Sequence, residues 1–268
     1  MPARWSLAAV HFQEVHAMTQ RILLMSSSRK DQLGYLEHAG EQIHVLLKHE
    51  PRKVLFVPFA AVTFSFDSYE DRVKPAFDRL GYSLESIHRS NDPLAAIEQA
   101  EAIAIGGGNT FALLKRLYDA GIVDAIRAKA IAGTPYIGWS AGSNVACPTI
   151  RTTNDMPIVQ PPTLRALGVV PFQVNPHFIS GKPVGYNGES REERLAEFLA
   201  INAPEQVLAL PEGSALYSDG MHGTVLGERH AVHFLGDGRV ETLRENETFP
   251  LAHIKGPADM SGWPAFRG

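Results

Sequence analysis

The sequence predicts one α/β domain built on a mostly parallel sheet with helices on both faces, followed by β-hairpins toward the C-terminal end. Two observations lead there. Short apolar runs of strand length recur through the first part of the chain, and each is followed by a stretch with apolar residues at helical spacing. From Ala215 onward the helical stretches give way to Gly-punctuated turns, Ser218-Asp219-Gly220 and Leu235-Gly236-Asp237-Gly238, which read as antiparallel hairpins. A chain of 268 residues suits one α/β domain of the larger kind.

The elements follow in order. Ile22-Leu23-Leu24-Met25 reads as the first strand, with a helix around Leu36 to Leu47 behind it. Val54 to Ala60 is a second strand, and a helix near Tyr69 to Leu80 ends at Gly81. Tyr82 to His88 reads as a strand and Pro93 to Ala100 as a short helix. Ala102-Ile103-Ala104-Ile105 is a buried strand entering the triplet Gly106-Gly107-Gly108, ahead of helices at Thr110–Tyr118 and Val123–Ile131. Pro135 to Trp139 is the next strand, and it stops at Ser140. A Pro-rich stretch through Pro148, Pro157, Pro161 and Pro162 reads as a loop over a site. Phe172 to Asn175 and Val207 to Leu210 are strands on either side of a helix from Arg191 to Ile201.

Composition excludes several function classes. Apolar residues make up 44% and charged ones 20%, so a sizeable core forms. With 25 basic and 29 acidic side chains the net charge is −4, which gives no basic footprint for nucleic acid and no polybasic membrane patch. The longest apolar runs fall far short of a membrane span. Cys147 is the only cysteine, so no internal disulfide forms, and without CxxC or HExxH no metal site is expected. A reducing, cytoplasmic compartment fits. Met18 directly precedes the first strand, so residues 1–17 read as a disordered extension or an upstream start, and 18–268 as the domain.

Gly138-Trp139-Ser140-Ala141-Gly142 matches the G-x-S-x-G nucleophile elbow. A nucleophile on a sharp strand-to-helix turn needs small neighbours, because the backbone is strained and closely approached there. Such a serine requires a base. His177, in Val174-Asn175-Pro176-His177, is the one histidine downstream that follows a strand and sits among turn residues. Glu212, in Leu210-Pro211-Glu212-Gly213, has the same placement, and by placement alone is an ordinary turn carboxylate. The glycine triplet fails the dinucleotide fingerprint, since Phe111 stands where the third glycine belongs, and no Gly-Lys-Ser/Thr follows. It reads instead as a source of an oxyanion N–H, from Gly108, or as a tight turn.

The run from Gly106 to Phe111, the block from Gly138 through Asn154-Asp155-Met156-Pro157-Ile158-Val159, and the later pieces Asn175-Pro176-His177-Phe178, Gly188-Glu189-Ser190-Arg191-Glu192 and Leu210-Pro211-Glu212-Gly213 resemble the peptidase E family of α-aspartyl dipeptidases. The resemblance covers roughly residues 20 to 235. It implies a flavodoxin-like, doubly wound sheet and hydrolysis of small peptides, dipeptides with an N-terminal aspartate, without metal or other cofactor. It makes Ser140 the nucleophile, His177 the base and Glu212 its orienting acid, with Gly108 and Ala141 as oxyanion donors. Arg191 matches the arginine that grips the substrate aspartate, and Asp155 matches a position that matters for activity, either by binding the α-ammonium or by shaping its loop. Ser143 departs from the family, where alanine is common. The chain reads as a monomer or a homodimer, the loop from Ser180 to Ser190 lying at the subunit boundary in the second case.

Three rivals stand beside this reading. A cyanophycinase-like β-aspartyl peptidase shares the broad superfamily. An α/β-hydrolase esterase uses the same elbow but orders its residues serine, acid, histidine, which assigns Asp219 with His222 or His230. A non-catalytic binding module keeps the elbow as scaffold only.

Overall fold

The computed structural model describes residues 20–50 and 52–251, and the expected extension over residues 1–17 lies outside the described residues. The first half runs β1 (Ile22–Met25), α1 (Gly40–Leu47), β2 (Lys53–Val57), α2 (Phe66–Arg79), β3 (Ser83–Ser86), α3 (Pro93–Gln99), β4 (Ala102–Ile105), α4 (Thr110–Asp119), α5 (Val123–Ile131), β5 (Tyr136–Trp139) and α6 (Ala141–Ala146). The second half runs β6 (Gln173–Pro176), α7 (Arg191–Asn202), β7 (Val207–Leu210), β8 (Ala215–Ser218), β9 (His222–Leu226), β10 (Ala231–Phe234), β11 (Val240–Leu243) and β12 (Thr248–Pro250).

Eight strands form the main sheet in the order β12-β9-β8-β1-β5-β4-β2-β3. From β1 to β3 the pairing is parallel throughout, and β8, β9 and β12 add antiparallel strands beyond β1. The stretch β3-β2-β4-β5 follows the flavodoxin-type path, and β1 fills the place beside β5. The fold is the expected α/β class.

Residues of β1, β4 and β5 are buried without exception, because helices cover both faces of a parallel sheet. Ile22, Leu24, Val57, Ile105 and Tyr136 pack one way, against Leu113 and Leu117 of α4 and Ile126 of α5. Leu23, Met25, Phe56, Ile137 and Trp139 pack the other way, against Ile43 of α1 and Val73 and Phe77 of α2. Alternation along each strand therefore builds two cores at once.

Element boundaries follow local chemistry. β2 stops at Val57, short of the expected Ala60, because Pro58 has no N–H for the ladder. α2 begins at Phe66, earlier than expected, because the Ser65 hydroxyl accepts from the Ser68 N–H at 3.1 Å. β3 is shorter than expected, since Ile87–Arg89 turns into a 3-10 helix.

One arrangement was not expected. β6 and β7 do not join the main sheet; they pair in parallel with each other, and β10 and β11 complete a second sheet in the order β11-β10-β7-β6. Its outer face is covered by Leu195 and Leu199 of α7, and its inner face joins the first core through Val174, Leu208 and Leu210. The carboxyl ends of β1, β4 and β5 and those of β6 and β7 meet at one rim, and every expected reactive group follows one of them.

His233 lies within this second sheet, buried and 5.2 Å from the Phe249 ring. Burial pushes its imidazole down to about 4. In the unfolded chain a histidine takes up a proton near pH 6.5. Stability is therefore fully present above that value and declines as pH falls from about 6.5 toward about 4. Urea unfolding at pH 7 and at pH 4.5 checks this: His233→Leu loses less stability between the two than the wild type, by on the order of 2–3 kcal/mol.

Candidate active site

The site starts where β5 ends. Ser140 adopts φ 52° and ψ −112°, a left-hand backbone that a residue with a Cβ takes only under constraint. Its N–H donates to the Met25 carbonyl at 3.1 Å, and its own carbonyl accepts from the N–H groups of Ser143 and Asn144 at 2.9 and 3.0 Å, opening α6. The two motif glycines are sterically required. A Cβ on Gly138 would stand 2.6 Å from the Gly142 carbonyl oxygen, and one on Gly142 would strike the Ile105 carbonyl. Ser143, the departure from the family pattern, is fully buried, and its hydroxyl reaches the carbonyls of Met25 at 2.7 Å and Gly138 at 3.0 Å, bracing the same turn.

His177 and Glu212 arrive from the second sheet. Pro176 at the end of β6 pairs with Leu210 at the end of β7, so the residues that follow leave side by side. His177 Nε2 lies 2.9 Å from Ser140 Oγ, and His177 Nδ1 lies 2.9 Å from Glu212 Oε1. With its proton on Nδ1, the ring donates to the carboxylate and accepts from the serine hydroxyl. His177 itself has φ 54°, so both partners of that contact sit on strained backbone.

The glycine triplet closes the other side. A Cβ on Gly107 would come within 2.9 Å of the Ser140 Cβ, which places this loop directly against the Ser140 turn. Gly108 has φ 138°, and a Cβ there would strike the Ala60 carbonyl. Among the described residues the N–H groups of Gly108 and Ala141 donate to no backbone carbonyl.

Arg191 and Asp155 line a neighbouring cleft of about 430 Å³, together with Asn154 and Asn175. The cleft adjoins His177, because Asn154 Nδ2 donates to the carbonyl of the preceding Pro176 at 2.8 Å. Arg191 has no carboxylate partner among the described residues. Partial burial, and then the nearby Arg194, lower its pKa. It is half-buried. Asp155 Oδ2 accepts from the N–H and hydroxyl of Thr110 at 2.7 and 2.6 Å, at the start of α4. These bonds tie the loop that carries Asp155 to the start of α4.

The sequence of peptidase family S51 matches this chain over residues 22–226. The chain belongs to peptidase family S51. A Peptidase E of Actinobacillus pleuropneumoniae is 50% identical over 231 residues, covering 86% of this chain and 99% of the relative. A Peptidase E of Haemophilus influenzae is 52% identical over 211 residues, covering 78% of this chain and 97% of the relative. In fold, the chain is similar to a peptidase from an acI-B1 Actinobacterium, with TM-score 0.65 at 18% identity over 87% of this chain and 98% of that one. The S51 chain is thus a peptidase, a hydrolase.

Sequence reasoning missed a residue at the centre of this S51 site. Ser26, directly after β1 and fully buried, accepts from the His177 N–H at 2.9 Å and donates to the Leu210 carbonyl at 2.7 Å. Its own N–H donates to the Ser214 carbonyl at 3.0 Å. The serine run Ser26-Ser27-Ser28 at a strand's carboxyl end was the available signal. The esterase assignment does not fit the fold: Ser218 pairs with Ile22, so Asp219 and His222 lie at the opposite end of β1 from the Ser140 turn. Among the described residues, one group of side chains is close enough to share a cation, Asp67, Glu70 and His88. Arg89 already pairs both of its carboxylates, at 2.8 and 2.6 Å.

Two substitutions test this framework. Ser26→Ala leaves the His177 N–H without its acceptor and lowers the urea-unfolding free energy by about 1–3 kcal/mol. Gly142→Ala forces β4 and α6 apart at the Ile105 carbonyl, and soluble folded protein on expression, with a wild-type melting temperature, contradicts that.

Proposed function

We propose that this peptidase cleaves dipeptides with an N-terminal aspartate through an acyl-enzyme on Ser140. The observation that carries the reading is the continuous line Ser140 Oγ, His177, Glu212, with 2.9 Å at each contact. His177 takes the hydroxyl proton as Oγ attacks the carbonyl carbon of the aspartyl residue. The N–H groups of Gly108 and Ala141 receive the oxyanion, and the imidazolium then protonates the departing amine. Water, deprotonated by the same imidazole, attacks the ester and frees aspartate. Glu212 keeps the proton on Nδ1 and stabilises the imidazolium.

Arg191 supports the substrate choice. A half-buried guanidinium without a carboxylate partner favours a ligand that brings one, and the fork geometry suits a carboxylate. Asp155 acts through the loop it ties to α4. The cyanophycinase-like alternative is addressed by the same substrate panel, since it requires β-linked aspartyl-arginine to be the better substrate. A cytoplasmic place of action, which the lone buried thiol Cys147 suits, and a homodimer on the loop from Ser180 to Ser190, which exposes Val184 and Tyr186, complete the reading.

A panel of X-Leu dipeptides assayed with three proteins checks these assignments. Wild type hydrolyses Asp-Leu far better than Asn-Leu. Ser140→Ala retains its melting profile and loses kcat by a factor on the order of 10⁴ or more. Arg191→Ala lowers kcat/KM for Asp-Leu by about 30-fold or more, roughly 2 kcal/mol, and narrows the gap to Asn-Leu. Equal turnover of Asp-Leu and Asn-Leu by the wild type overturns the assigned specificity.

A further inference from the structure

The nucleophile and base are braced through β1, but the oxyanion side is braced by residues on another face. On either side of Gly107 and Gly108, the Gly106 N–H donates to the Val57 carbonyl at 3.2 Å and the Asn109 N–H to the Ala60 carbonyl at 3.0 Å. These contacts pin both ends of the loop and leave the peptide plane between Gly107 and Gly108 to be held by something else. A plane with glycine on each side is the kind most able to flip, because neither flanking residue resists the rotation sterically. A flip here would exchange the Gly108 N–H for the Gly107 carbonyl oxygen, turning an attraction for the oxyanion into a repulsion.

One side chain opposes that rotation. Tyr69, on α2 and 2% exposed, donates its hydroxyl to the Gly107 carbonyl at 2.8 Å. The direction of donation is settled by the acceptor. A carbonyl oxygen only accepts, and the Tyr69 oxygen is in turn approached by the Tyr35 hydroxyl at 3.3 Å and by the Trp139 indole N–H at 3.2 Å, a hydrogen shared with the Tyr35 oxygen at 3.0 Å. Its own hydrogen is left for Gly107. Burial also pushes the Tyr69 phenol well above its ordinary value, so the proton stays. The ring is locked edge-on against Phe56 and Phe64 at 5.0 and 5.2 Å. A Cβ on Gly106 would stand 2.5 Å from the Tyr69 oxygen, so the glycine admits the hydroxyl.

In a planar trans peptide the C=O and the following N–H point in opposite directions. Holding the Gly107 carbonyl inward therefore turns the Gly108 N–H outward, where it has no acceptor among the described residues. We propose that Tyr69 is a positioning residue for the oxyanion site: by anchoring the Gly107 carbonyl it sets the direction of the Gly108 N–H. The proposal builds on the serine mechanism above. Because Trp139 precedes Ser140, its bond to Tyr69 joins the anchor to the nucleophile strand.

Tyr69→Phe removes one oxygen and keeps the ring. Rates are taken per serine titrated with a serine-reactive phosphonate, so that only folded, reactive sites count. The expected result on Asp-Leu is a kcat lower by about tenfold or more with KM within about twofold. The inhibition constant of an aspartyl aldehyde, which forms a tetrahedral adduct on the serine, rises by the same factor, while that of free aspartate does not move. Tyr35→Phe, which takes a hydroxyl from the same cluster but not from Gly107, stays within about threefold of wild type. A Tyr69→Phe kcat within twofold of wild type, or a rise in KM alone, overturns the proposal while an inactive Ser140→Ala leaves the serine reading standing. An active Ser140→Ala, unlabelled by phosphonate, removes that reading and this proposal together.

Discussion

The buried hydroxyl of Ser26 joins the two sheets at the rim where Ser140, His177 and Glu212 meet. It accepts from the N–H of His177 and donates to the carbonyl of Leu210, two residues before Glu212. Met25, its neighbour, holds the Ser140 N–H. All three groups of the proposed relay are thus referenced to the last turn of one strand, although they come from three separate loops. Hydrogen bonds of this kind contribute about 0.5–1.5 kcal/mol each, modest against the burial of the cores. Their value here is geometric, since a relay tolerates little displacement of its donors and acceptors.

Both ends of the central contact are strained, with Ser140 and His177 at positive φ. Each such backbone costs on the order of 1–3 kcal/mol and persists only where surrounding bonds over-determine it. The surroundings do so. Ser143 braces the serine turn from below, Gly138 and Gly142 let β4 and α6 close upon it, and Ser26 fixes the histidine N–H. On the opposite wall, Arg191 is held at the start of α7, whose first turn is closed by the Ser190–Glu193 capping box.

Much of this was legible in the residues. The parallel half of the main sheet could be read from buried apolar runs, and the elbow from five residues whose steric needs are local. His177 was legible as a histidine beyond a strand, whereas Glu212 and Arg191 needed the family resemblance, because a carboxylate at a Pro-Gly corner and an arginine at a helix start are common surface features. The second sheet was not legible. β7 has the same apolar strand pattern as β1 and β4, β6 is a short mixed strand with Gln173 and Asn175, and periodicity does not say which strand a neighbour will be. Ser26 and Tyr69 were missed for a related reason: their partners, His177 and Gly107, are far away in the chain, and a long-range hydrogen bond leaves no local spacing to find.

β1 is early in the chain yet interior to the sheet, flanked by β5 on one side and β8 on the other, with Ile22 registered against both Tyr136 and Ser218. Pairings that wait for distant segments form late. A nascent chain still lacking β7 and β8 therefore carries its serine but neither the acid nor the strand that completes the frame around it. The relay proposed above is therefore complete only in a chain that extends through β8.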